Sequence, residues 1–81
     1  MIVHIRLFAL ARELCGAELI EVPVPLAARV ADLRAALASA YPALSPLAGS
    51  AMFAFDAAYV SEDFPLVEGS EMACILPVSG G

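Results

Sequence analysis

From Ile2 to Phe8 the side chains alternate. Val3, Ile5 and Leu7 fall on one side, and His4, Arg6 and Phe8 on the other, which is the period of a strand with one buried face. Phe8 is the misfit, an aromatic ring on the side that carries His4 and Arg6. The pattern then changes. Ala9 to Cys15 is built from good helix formers, Leu10 and Leu14 share a face, and Gly16 follows where a C-terminal cap belongs. A short helix of about two turns is predicted there. Leu19 to Val22 reads as a second strand, ended by Pro23 and Pro25. The long helix runs from Arg29 to Ala40. Val30, Leu33 and Leu37 form its apolar stripe, Tyr41 continues the stripe, and Asp32 lies in the favourable first turn. No Ser, Thr, Asp or Asn caps its start, and Tyr41-Pro42 ends it, because a residue before proline is pushed out of helical geometry.

Pro42 to Ser50 is a loop with room for one short turn around Leu44 to Leu47. A hairpin follows, with Met52 to Phe55 and Ala58 to Val60 joined at Asp56-Ala57. Aspartate tolerates tight-turn geometry, whereas alanine is a poor residue for a type I′ turn. Ser61 to Pro65 connects, Glu68-Gly69-Ser70 turns, and Met72 to Val78 is the last strand. Met72, Cys74 and Leu76 take one face of it, and Ala73 and Ile75 the other. Strand, short helix, strand, long helix and three strands make an α+β chain of the β-grasp (ubiquitin-like) kind: a mixed five-stranded sheet, one main helix and a short N-terminal helix. The sheet is expected to be mixed because a connection through a long helix is no hairpin. Residues 1–81 are expected to form a single domain with a flexible C-terminal tail from about residue 78.

Composition narrows the function. The chain is 62% hydrophobic and 16% charged, with a mean hydropathy of +0.86, yet no stretch approaches the roughly 18 apolar residues of a membrane span. Met1-Ile2-Val3 runs at once into His4 and Arg6, so no signal peptide is expected and the expected location is cytoplasmic. Apolar surface beyond what so small a core uses points to a protein partner. The net charge is −5; Arg6, Arg12, Arg29 and Arg34 are the only cationic residues, and lysine is absent. Neither nucleic acid nor an anionic membrane is an expected partner of such a chain. Any isopeptide chemistry would find only a carboxylate here. Cys15 and Cys74 lack zinc-site spacing, so no metal site is expected and both are expected as free thiols. His4 reads as an exposed strand residue.

The chemistry converges on Cys74-Ile75-Leu76-Pro77-Val78-Ser79-Gly80-Gly81. Without Cβ atoms, Gly80 and Gly81 enter channels too narrow for other residues. Fully extended, Val78 to Gly81 spans roughly 13 Å, a reach suited to delivering the Gly81 carboxylate into another protein's active site.

Leu7-Phe8-Ala9 leading into Ala11-Arg12-Glu13-Leu14-Cys15-Gly16, then Glu68-Gly69-Ser70-Glu71, then Leu76-Pro77-Val78-Ser79-Gly80-Gly81 together resemble the small subunits of molybdopterin synthase, the MoaD-type sulfur carriers. The likeness covers essentially the whole chain. Thiamine-pathway sulfur carriers share the Gly-Gly end but usually lack the first helix, and ubiquitin-like modifiers share less. Two departures stand out: the Asp56-Ala57 turn lacks the family's usual Asn, and the long helix lacks its Ser/Thr cap.

The resemblance implies that Gly81 is adenylated by an E1-like enzyme, which consumes ATP, and then becomes a thiocarboxylate at the expense of a sulfur donor system. The tail would then enter the large molybdopterin synthase subunit and give its sulfur to cyclic pyranopterin monophosphate. Gly81 and Gly80 would carry that role, with Ser79 and Val78 as the stalk, no cofactor bound, and the acids and bases supplied by partners. It further implies a heterotetramer of two small and two large subunits. Separately, the strand alternation places Phe8 and Ile75 opposite the core faces. With Tyr59 and Pro77 they form the expected docking patch.

Overall fold

The computed structural model describes residues 1–77. Its elements are β1 (Ile2–Leu7), α1 (Ala9–Cys15), β2 (Leu19–Pro23), α2 (Val30–Ala40), a 3-10 turn (Pro42–Leu44), α3 (Ser45–Ala48), β3 (Met52–Phe55), β4 (Ala58–Tyr59) and β5 (Glu71–Ile75). The strands make one sheet in the order β2-β1-β5-β3-β4. β5 sits in the middle, parallel to β1 and antiparallel to β3, while β1 pairs β2 and β3 pairs β4 in antiparallel fashion. This is the mixed five-stranded β-grasp sheet.

The alternation of β1 sets the layering. Val3, Ile5 and Leu7 point inward with Ile20 and Val22 of β2, Met72 and Cys74 of β5, and Phe53 of β3. The α2 stripe of Val30, Leu33 and Leu37 covers them and is itself buried. Burying each large aliphatic side chain contributes about 1.5–3 kcal/mol, so this inner layer carries most of the fold's stability.

Arg34 stands on the flank of α2. It donates to the carbonyl oxygens of Ala48 (2.7 Å) and Ala51 (2.6 Å), pairs with Glu62, and lies over the Phe53 ring. It thereby ties α2 to the segment between α3 and β3.

The ends of elements differ instructively from the expectations. β1 stops at Leu7, and Phe8, in extended geometry, becomes the residue before α1. Gly16 closes α1 in the left-handed region at φ 70°, as its lack of a Cβ permits. α2 begins at Val30, and its missing cap is replaced from inside: the Asp32 carboxylate accepts a hydrogen bond from the Arg29 backbone N–H at 2.9 Å. β5 begins at Glu71 and ends at Ile75, short of Pro77, which has no N–H to offer a ladder; the expected end at Val78 lies outside the described residues. The edge strand β2 ends at Pro23, and the Tyr41 hydroxyl donates to the Glu21 carbonyl at 3.0 Å, so that edge offers little to a foreign strand.

The hairpin turn forms in spite of its residues. Asp56 and Ala57 both adopt positive φ, 52° and 63°, the signature of a type I′ turn. Alanine pays a steric cost there, as Ala9 and Ala27 do at φ 46° and 62°.

Candidate functional site

The outer face of the sheet, opposite α2, is organised by register. Phe8 follows Leu7, whose partner Cys74 precedes Ile75, and Ile75 is paired with Met52. Phe8, just past the end of β1, Ile75 of β5 and Met52 of β3 therefore succeed one another across the sheet. The neighbouring row runs Arg6, Ala73, Ala54, Tyr59. Phe8 (47%), Met52 (46%) and Tyr59 (61%) are exposed, and Ile75 is half-buried. Of the expected patch, Phe8 and Ile75 lie side by side, whereas Tyr59 is set two strands away, behind Ala54. Pro77 is exposed just beyond β5. Val78, Ser79, Gly80 and Gly81 lie outside the described residues.

Met52 escaped the sequence reading, although β3 alternates. Its alternation shows that Met52 opposes Phe53, but only the Met52–Ile75 pairing puts it in the patch.

The next row is charged. His4 stands between Glu21 on β2 and Glu71 on β5, its Nε2 3.1 Å from Glu21. Arg6 donates to Glu71 through Nε at 2.9 Å. That hydrogen bond, with the positive charges of Arg6 and His4 behind it, holds the Glu71 carboxyl below its ordinary value, and the same bond with the Glu71 charge lifts Arg6 above its own. The face is thus divided into an apolar half toward Pro77 and an ion-paired half at the other end.

Between the halves lies a cavity of about 410 Å³, lined by Arg6, Phe8, Ala54, Asp56, Ala57, Glu71, Met72 and Ala73. Its depth follows from the small side chains of Ala54 and Ala73, set between Phe8 and the hairpin turn.

The thiols are quiet. Cys74 is fully buried on the core face, where loss of water pushes its thiol up to about 11. Burial raises Cys15 as well. Neither is poised as a nucleophile. Among the described residues no group of His, Cys, Asp or Glu is arranged to hold a metal ion, and no helix is long and apolar enough to cross a membrane.

Comparison with known proteins gives a consistent result. Residues 5–81 match the model of the ThiS family. The molybdopterin synthase sulfur carrier subunit of Drosophila yakuba is 34% identical over 98% of this chain and 90% of its own length. Among solved structures, small archaeal modifier protein 1 of Haloferax volcanii superposes with a TM-score of 0.82 at 28% identity over the whole of both chains. A molybdopterin converting factor subunit 1 of Pyrococcus furiosus, described as putative, gives 0.81 at 26% identity over 96% of this chain and 99% of its own.

Proposed function

Taking as premise that the chain belongs to the ThiS family, we propose that it is a sulfur carrier, the small subunit of a molybdopterin synthase. The observation that carries this reading is the likeness to the Drosophila yakuba sulfur carrier subunit, which extends over nearly the full length of both chains.

The chemistry proposed for the tail follows from what a carboxylate needs. A sulfur nucleophile cannot displace oxygen from a carboxylate, because the leaving group is too poor. An E1-like partner supplies the remedy: the Gly81 carboxylate attacks the α-phosphorus of ATP, pyrophosphate departs, and an acyl-adenylate forms. A sulfide equivalent from the donor system then attacks the carbonyl and expels AMP, leaving a thiocarboxylate. With no side chain at Gly80 or Gly81, that carbonyl is open to attack. Inside the large synthase subunit the sulfur passes to cyclic pyranopterin monophosphate, and two deliveries supply the dithiolene.

The body's part is presentation. Phe8, Ile75 and Met52, with Tyr59 and Pro77 at the margins, form an apolar surface at the end of the sheet from which the tail departs. A partner seated there receives Pro77 at its edge and the four following residues in its channel. Burial of such clustered large side chains is the usual source of interface energy. The acids and bases belong to the partners in this reading.

A second reading has an observation of its own, the superposition on small archaeal modifier protein 1. As a modifier the chain would place Gly81 on lysines of other proteins, and having none itself it would only donate.

The deciding measurement is the intact mass of the protein isolated from its own cells, beside a form lacking Gly80-Gly81. Replacement of one oxygen by sulfur at Gly81, absent from the shortened form, supports the carrier. Lysine-linked conjugates without any thiocarboxylate support the modifier instead.

A further inference from the structure

We propose that the cavity on the outer sheet face is a socket for a single arginine side chain presented by the protein partner. Its floor is Ala54 and Ala73, cross-strand partners in β3 and β5, and its walls are the Phe8 ring and the Asp56-Ala57 turn. At about 410 Å³ it is far larger than the roughly 30 Å³ share of one water, and it takes one long side chain with its head group.

The charges choose among occupants. Arg6 is already engaged, giving Glu71 two hydrogen bonds from Nε (2.9 Å) and Nη2 (3.4 Å). Asp56 follows Ala54 by two residues and Glu71 precedes Ala73 by two, so the two carboxylates face one lip of the cavity. Asp56 has no ion-pair partner among the described residues. The lining therefore holds one cation against two anions. An incoming guanidinium would lay its stem on Ala54 and Ala73, stack on Phe8, and pair with Asp56. A carboxylate would instead meet Asp56 and Glu71, and an apolar side chain would strip Asp56 of water without replacing its hydrogen bonds. The net charge of −5 favours a basic partner surface in the same direction. That the bearer of this arginine is a large molybdopterin synthase subunit rests on the function proposed above; the chemistry of the socket does not.

The test titrates isotope-labelled full-length chain with N-acetyl-arginine methylamide, N-acetyl-norleucine methylamide and N-acetyl-aspartate methylamide, following backbone amide shifts by NMR. The expected result is a saturable, salt-weakened shift at Phe8, Asp56, Ala57 and Ala73 with the arginine probe alone. Asp56→Asn, which keeps a residue suited to the left-handed turn, and Ala73→Leu, which fills the floor, should each abolish it. An equal response to norleucine, a preference for aspartate, or no saturable shift overturns the proposal. In parallel, Asp56→Asn should weaken binding to the large synthase subunit about tenfold. If that subunit binds wild type and Asp56→Asn alike, its use of the socket is refuted while the carrier reading survives. If the arginine probe binds but the subunit does not, the socket stands and the carrier reading fails.

Discussion

The guanidinium of Arg34 lies 5.2 Å from the centroid of the Phe53 ring. This one contact joins the outside of α2 to the largest fully buried side chain of the sheet. The same head group reaches Ala48 O, Ala51 O and Glu62, so a single planar fork holds α2, the end of α3, the start of β3 and the segment leading to β5.

Lysine cannot copy that arrangement, since a compact ammonium neither stacks nor divides its donors in a plane. Arg34→Ala is expected to cost about 3 kcal/mol, because two partly buried carbonyls lose their donor. Arg34→Lys should recover only part of that. Urea unfolding of the two variants beside wild type measures both.

The left-handed turn offers the opposite sign. Glycine at position 57 removes the steric cost of an L-residue at φ 63°, against a smaller cost from the greater entropy that glycine loses on folding. Ala57→Gly should therefore stabilise by about 0.5–1 kcal/mol, and Ala57→Val should destabilise. Midpoints of thermal unfolding check the pair.

Acid should reveal the Arg6–Glu71 bond. Glu71 is held below its ordinary 4.5 in the folded chain, so its contribution is present above that value and is lost as pH falls through the lowered one. The melting temperature of wild type should exceed that of Glu71→Gln at neutral pH, and the gap should close on acidification below 4.5. Both groups are exposed, so the gap is small and shrinks further in high salt.

The thiols should separate kinetically. At pH 8 a disulfide exchange reagent is expected to label Cys15 slowly, and Cys74, whose thiol stands at about 11, only after denaturant opens the core. Counting labels against time with and without urea gives the answer.

The proposed docking patch should be separable from the fold. Ile75→Glu and Phe8→Ala change outer-face side chains that the core does not use, so melting temperatures should move little. Affinity for a large molybdopterin synthase subunit should nonetheless fall more than tenfold, about 1.4 kcal/mol or beyond. A calorimetric titration of each variant shows whether it does.

Much of this architecture was legible in the sequence because its signals were strong and local. The period of Val3-Ile5-Leu7, the stripe of Val30, Leu33 and Leu37, and Gly16 after Cys15 each fix an element with little help from elsewhere. What the sequence concealed depends on register. That Met52 adjoins Ile75, that Tyr59 sits behind Ala54, and that Ala54 and Ala73 leave a hollow between them follow from pairing across strands far apart in the chain. One end also misled: Phe8 continues the His4-Arg6 alternation and so reads as a strand residue, yet the chain leaves the ladder at Leu7 and Phe8 precedes α1.

The position of β5 has a consequence for synthesis. Among the described residues it is the last strand in chain order and the middle strand of the sheet, joining the β2-β1 pair to the β3-β4 pair. Until residues 71–75 emerge, those two hairpins share no ladder, and the inner faces that Met72 and Cys74 will cover stay open to water. A chain broken off earlier leaves a sheet without its centre, fit for degradation rather than for docking. Folding thus acts as an inspection of length: the patch of Phe8, Ile75 and Met52 exists only on molecules whose synthesis has passed β5.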